Sequence, residues 1–360
     1  MKQKTTPKEP KSDYYYKSRI SSQKKELKKL VTVADFKLLE KYEIIMINES
    51  LAEATRCKHF EILLSLTRML SKKSWNTLNQ DDIDLLVSNV MKTYSVDGKE
   101  TNTTYDHKKI LKIFFRWVKL GSRSFREVGN PPELKNVRTK TVADKIVREE
   151  LVTPEDIVNL LSVCSNLRDK ALLHVHYEAG TRPGEILSLK IKHVKQDKYG
   201  MIIAVDGKTG ARPIRLIESV PSLSKWLSSH PFKDDPESPL WINIAKSNYG
   251  TRLTHQSATL ILYNACKKSQ IGKKINLKLF RHSEATRTAM FMTEATLRKR
   301  HGWSPTSKMP AKYAHINQKD VEDSILGHYG IKQEEERINK VPKICPVCKN
   351  QNSYDSETCD

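Results

Sequence analysis

Six side chains in the second half of the chain have the types that chemistry on a phosphodiester requires: Arg182, Lys208, Lys278, Arg281, Trp303 and Tyr313. Arg182 sits in Gly180-Thr181-Arg182-Pro183-Gly184-Glu185, and Lys208 in Asp206-Gly207-Lys208-Thr209-Gly210. Lys278-Leu279-Phe280-Arg281-His282 then precedes Gly302-Trp303 and Lys312-Tyr313-Ala314-His315. Two guanidinium groups can neutralise the non-bridging oxygens of a phosphate, an ammonium can protonate a departing oxygen, and a phenol can attack phosphorus. Lys278 and Arg281, three residues apart near a helix start, can face one ligand, to which the helix's terminal amides add partial positive charge.

Such side chains work only if the backbone holds them together. Arg168 to Ala179 has helical spacing and stops at Gly180, and Pro183 restarts a helix through Ile186, Leu187 and Leu189. Arg182 is thereby caught in a tight corner, with Glu185 one turn away to brace it. Met201 to Val205 and Ile214 to Ile217 read as paired strands around a Gly207 to Gly210 turn, so that Lys208 stands at a hairpin tip. Ser219 to Ser228, Thr254 to Ser269 and Leu279 to Met290 read as further helices. Thr153-Pro154-Glu155-Asp156 opens another, with a capping hydroxyl, proline in the first turn and acids at the positive end of the dipole. Upstream, apolar residues recur at helical spacing from about Asp35 to Leu120, through Phe36, Leu39, Phe60, Leu63, Ile83, Leu86, Phe114 and Trp117. That stretch predicts an all-helical unit.

The chain has 360 residues, enough for two cores, and a formal net charge of +21, which calls for a polyanionic partner, nucleic acid by default. No apolar run approaches the ~20 residues of a membrane span, and the start lacks the apolar stretch of a signal peptide, so the expectation is a cytoplasmic, nucleoid-associated protein with no membrane partner. Residues 1–30 carry ten Lys/Arg against three Asp/Glu and read as a basic arm, either DNA-contacting or a solvated tail. Residues 31–128 form the helical unit, 129–147 with Asn130-Pro131-Pro132 an exposed linker, 148–330 the unit carrying the chemistry, and 331–360 a tail.

Taken in order, the Gly-x-Arg-x-Gly-Glu corner, the hairpin lysine in Gly-Lys-Thr-Gly, x-Phe-Arg-His-Ser, Gly-Trp-Ser and Lys-Tyr-x-His resemble the tyrosine recombinases, or phage-type integrases, especially their archaeal branch. The resemblance covers residues 150–320 and extends weakly into the helical region, which is similar to the family's core-binding domain. It implies a mainly α fold with a small antiparallel β-sheet: a two-domain, C-shaped DNA clamp of helical core-binding domain plus catalytic domain. It makes Arg182 and Arg281 the phosphate-binding arginines, Glu185 the support of the first, Lys208 the general acid and Tyr313 the nucleophile. A 3′-phosphotyrosyl link would result without metal or ATP, and full strand exchange would take four protomers on two duplexes of double-stranded DNA carrying attachment sites.

Two departures stand out. Many members of the family have His where Lys278 stands; an ammonium is an electrostatic clamp, and a base only if its pKa is depressed. Trp303 takes a position that His or Trp usually fills, and an indole N–H donates a hydrogen bond but does no acid-base work. His301 is a further supporting candidate, whereas His282 reads as a structural histidine. At the C-terminus, Cys345-Pro346-Val347-Cys348 followed by Cys359 resembles half of a zinc ribbon: a partial structural zinc site or three solvent-exposed thiols. Similar catalytic residues would serve a type IB topoisomerase or a host chromosome-dimer resolvase, and a catalytically inactive DNA-binding protein would keep the fold. The intact Tyr313 and both arginines favour an enzyme, and the basic N-terminus an integrase.

Overall fold

The computed structural model describes residues 12–70, 73–140, 150–207 and 210–313, and beyond these 322, 325–326, 329, 342–348, 350–354 and 356–358. Two units are built around separate cores, one within Lys11–Asp144 and the other within Lys145–Asp360.

The first unit is helical: α1 (Ser12–Leu30), α2 (Val33–Asn48), α3 (Glu53–Met69), α4 (Gln80–Tyr94), α5 (Asn102–Leu120) and the short α6 (Phe125–Val128). Local chemistry sets the boundaries. Asn79 and Asp82 cap α4 reciprocally, Thr101 and Thr104 do the same for α5, and Gly121 ends α5 in the left-handed conformation at φ 78°. The core is aromatic, with Phe114 packed edge-on against Tyr42 at 4.9 Å and Trp75 at 5.0 Å between ring centroids. The buried Asp35 accepts hydrogen bonds from the Ser74 hydroxyl (2.7 Å) and the Trp75 amide (3.2 Å), which pins the loop before α4.

Two expectations are corrected in this unit. From Ser12 onward the basic N-terminal stretch is helix α1, not an arm: Ile20, Gln23 and Leu27 are buried on one face while its lysines point outward. Three inward residues among so many charges leave little periodic signal. The linker, likewise, is packed as far as Lys140: Leu134 and Val137 are buried in the helical core, and the Asn136 amide donates to Asp84 at 2.8 Å. Residues 1–11 and 141–149 lie outside the described residues.

The second unit runs α7 (Pro154–Ser162), α8 (Leu167–Ala179), α9 (Pro183–Leu187), β1 (Val194–Asp197), β2 (Gly200–Gly207), β3 (Gly210–Leu216), α10 (Val220–Ser229), α11 (His255–Ser269), α12 (Leu277–Ala289), α13 (Glu294–His301) and α14 (Met309–Tyr313). The three strands form one antiparallel sheet in the order β1-β2-β3, with Val205 opposite Arg212 and Gly207 opposite Gly210. Strand β1 was not anticipated; it is short and carries a Lys-Gln-Asp sequence. Met201, Ile203 and Val205 of β2 and Ile214 and Leu216 of β3 are buried beneath α8, as the two-residue alternation predicts. The buried carboxylate of Glu178, at the end of α8, accepts from the backbone amides of Ile217, Glu218 and Ser219 at 2.6, 3.0 and 2.8 Å, fixing the sheet's exit into α10. The protein is thus mainly α with a small antiparallel sheet. A second hairpin, β4 (Lys343–Ile344) with β5 (Gln351–Asn352), docks on this unit through the Gln351 side chain, which donates to the Asp197 carbonyl at 3.0 Å.

Candidate active site

The corner between α8 and α9 is built on Gly180. Its φ of 57° caps α8, and a Cβ there would stand 2.6 Å from the Glu284 side chain, so glycine is required twice over. The buried His176 braces the corner from below. Its Nε2 donates to the Leu277 carbonyl (2.9 Å), leaving Nδ1 to accept from the Thr181 hydroxyl (3.2 Å); burial pushes its pKa down to about 4, so the ring stays neutral.

Arg182 follows as the residue before α9, and its side chain is 39% exposed. Glu185 holds it at 2.7 Å and also accepts from the Arg182 amide at 2.9 Å. The same carboxylate receives a second guanidinium, that of Arg212 on β3, at 3.2 and 2.8 Å. Burial would raise the Glu185 pKa, but the hydrogen bonds from Arg212 and Arg182 outweigh it and hold the group at about 2. Gly207 closes over this pair, since a Cβ there would lie 2.2 Å from Glu185 Oε1. Lys208 itself lies outside the described residues; its neighbours Gly207 and Gly210 are paired at the end of the hairpin beside Glu185.

Arg281 is buried on α12 and bonds to no carboxylate among the described residues. Its guanidinium donates to the Gly180 carbonyl at 3.0 Å and the His301 carbonyl at 2.6 Å. Arg212 Nε donates to the adjacent Arg300 carbonyl at 2.8 Å. Both acceptors belong to the last turn of α13, where carbonyls have no partner within the helix and the dipole favours cations. Burial and the nearby Arg182 lower the Arg281 pKa to about 10, still cationic at neutral pH. Arg182 and Arg212 therefore share the Glu185 carboxylate while Arg281 is held by backbone carbonyls, so three guanidinium groups against one carboxylate leave a surplus of two positive charges.

Beyond Arg281 the aromatic rings form a stack. Trp303 lies on His301 at 4.9 Å and against Tyr313 at 5.3 Å, the latter pair only 6° from parallel, while the Arg281 guanidinium sits 5.7 Å from the indole centroid. Tyr313 is 2% exposed. The indole N–H of Trp303 makes no hydrogen bond among the described residues. Lys278 is exposed at the start of α12 and makes no ion pair among the described residues.

The two histidines flanking the site have different surroundings. His301 is fully buried; burial, then Arg281 and Arg300, push its pKa down to about 2, and its Nε2 meets the Thr288 hydroxyl at 3.2 Å. It stacks against the Trp303 ring. His282, read as structural, instead has Nδ1 2.8 Å from the Tyr313 hydroxyl. Arg212 was missed altogether, although a charge at position 212, on the inward parity of Ile214 and Leu216, is the signal that marks it. Behind the corner, the buried Glu284 accepts from Arg287 and Arg300, each at 2.8 Å. As for the cysteine knuckle, Cys345 is buried, Cys348 is exposed, and Cys359 lies outside the described residues; among the described residues no three metal-binding side chains converge.

Residues 150–320 match the model of the phage integrase family. A tyrosine recombinase of Synechococcus elongatus is 30% identical over 141 residues, covering 37% of this chain and 44% of that one. The tyrosine recombinase XerA of Pyrococcus horikoshii is 28% identical over 178 residues, 49% of this chain and 56% of that one. The chain spans about half the length of the curated relatives it matches. Among solved structures, a lambda integrase dimer bound to a COC′ core site has the same fold, with a TM-score of 0.61 at 13% identity over 89% of this chain and 83% of that one. Residues 150–320, just under half of the chain, are thus similar to the phage integrase family, and parts of the chain are similar to curated tyrosine recombinases.

Proposed function

We propose that the protein is a site-specific DNA recombinase of the integrase type, which cuts and rejoins DNA strands through a 3′-phosphotyrosyl intermediate. The observation that carries this reading is the pair Arg182 and Arg212 on the Glu185 carboxylate together with Arg281 on the Gly180 and His301 carbonyls, with Tyr313 stacked on Trp303 beside Arg281. A surplus of fixed positive charge suits a phosphodiester, and a tyrosine next to it suits attack on phosphorus. Arg182 and Arg281 bind the non-bridging oxygens, Trp303 donates to one of them, and Lys278 adds charge from the rim. Lys208 protonates the departing 5′ oxygen. Fixed guanidinium groups supply the charge that a metal ion would otherwise bring, and each donor contributes roughly 3 kcal/mol in a water-poor site.

The phosphotyrosyl bond conserves the energy of the bond it replaces, so a 5′ hydroxyl from another strand reverses the step without ATP. Each strand cut consumes one tyrosine, so exchange between two duplexes takes four copies of the chain. The partner is double-stranded DNA, in line with the net charge of +21.

Incubation with supercoiled plasmid in EDTA, followed by denaturation in detergent, tests the reading. The expected result is a covalent protein–DNA adduct that vanishes in Tyr313→Phe while plasmid binding persists. An adduct that survives the substitution reassigns the nucleophile, and its absence from the wild-type protein refutes strand transfer. Relaxation of the plasmid without joining to a second duplex would make the protein a relaxing enzyme.

A further inference from the structure

We propose that His282 is a catalytic residue, and that its Nδ1 accepts the phenolic proton of Tyr313 as the tyrosine attacks. The inference rests on the strand-transfer reading above and names the group that reading leaves open, the base.

A phenol of ordinary pKa, about 10, is ionised in only about one molecule in 10³ at neutral pH, so attack on phosphorus needs a proton acceptor in contact with the hydroxyl. Lys278 is unsuited, because an ammonium has three donors and no lone pair, and its side chain is exposed at the start of α12. One turn further along α12, on the same face, stands His282, half-buried, with Nδ1 2.8 Å from the Tyr313 hydroxyl and the two rings 5.8 Å apart. That is within reach for direct proton transfer without an intervening water. The assignment fixes the tautomer: Nε2 carries the ring proton and Nδ1 turns its lone pair to the phenol.

The neighbours make the transfer productive. Trp303 stacks on the Tyr313 ring and holds it against rotation. Arg281, whose own ionisation senses Tyr313, favours the phenolate as it forms. In the step, the Tyr313 O–H bond breaks and its proton passes to Nδ1, giving an imidazolium. The Tyr313 oxygen bonds to phosphorus, the bond from phosphorus to the 5′ oxygen breaks, and that oxygen takes a proton from the Lys208 ammonium. Rejoining runs each transfer backward, so His282 returns the proton to Tyr313 and both groups are restored.

The test follows the rate of adduct formation by the full chain on supercoiled plasmid in EDTA, for the wild type, His282→Gln, His282→Ala, Lys278→Ala and Tyr313→Phe. Glutamine keeps a hydrogen-bonding side chain of similar reach but cannot take the proton. Both His282 variants are expected to slow the adduct by at least about 10²-fold with plasmid binding and thermal stability unchanged, whereas Lys278→Ala slows it by less than about 10-fold. Added imidazole should restore part of the His282→Ala rate and none of the Tyr313→Phe rate. Rates for both His282 variants within about threefold of the wild type would overturn the assignment while leaving strand transfer intact. So would a loss of rate that tracks lost binding or stability and ignores imidazole, since that is what a structural histidine gives. A wild-type protein that forms no adduct removes strand transfer and this inference together.

Discussion

The Gly180 corner has two sides, and each holds a buried carboxylate between two arginines. In front, Glu185 bridges Arg182 and Arg212; behind, Glu284 bridges Arg287 and Arg300. The two ionise in opposite directions. Burial acts on both, but Glu185 also receives the Arg182 amide and ends at about 2, whereas around Glu284 burial prevails over Arg287 and Arg300 and lifts it to about 7. A carboxylate that keeps its charge can hold arginines in place for a ligand; one that can shed its charge serves packing. The difference is in keeping with the proposed chemistry at the front and a scaffold role at the rear.

Four measurements would break or sharpen that contrast. The largest effect should come from Arg281→Ala, which removes a guanidinium from the front and is expected to slow adduct formation about 10³-fold with little change in plasmid affinity. Next, Arg212→Met leaves the buried Glu185 without its bidentate partner, and urea unfolding at pH 7 should show a loss of about 3–5 kcal/mol. At the rear, the linkage has the opposite sign to the usual acid. The folded pKa of Glu284, about 7, lies above the unfolded 4.5, so the folded state binds the extra proton and stability falls as pH rises from about 4.5 to about 7. Relative to Glu284→Gln, the wild type should lose about 3 kcal/mol across that window, while Glu185, held at about 2, loses its contribution only as pH falls from 4.5 toward 2. The smallest effect belongs to Arg300→Met at pH 6, about 1 kcal/mol, because Glu284 can take up a proton when its partner leaves. A loss there as large as that of Arg212→Met would erase the distinction between front and rear.

The front was the more legible side. Arg182 and Glu185 lie in one turn, and glycines on either side of Arg182 mark a corner from local sequence alone. The hairpin followed from alternation, and the helices from their caps. Arg212 was not legible, because its partner Glu185 is 27 residues away and only the strand register brings the two together. The contacts of the two histidines were not legible for a related reason. Each lies beside a residue singled out for chemistry, His282 next to Arg281 and His301 two before Trp303, and which one meets Tyr313 depends on how α12, α13 and α14 pack. Helix α1 escaped notice because a lysine-rich surface concealed a narrow apolar face.

Arg212 and Arg281 reach the site from different elements, yet both are moored to neighbouring peptide units at the end of α13, the carbonyls of residues 300 and 301. Consecutive Cα atoms are about 3.8 Å apart whatever side chains they bear. The interval between the two moorings is therefore a property of the polypeptide itself, a ruler that mutation can bend only by unwinding the helix. Lineages could exchange the residues around it freely and still inherit the same spacing.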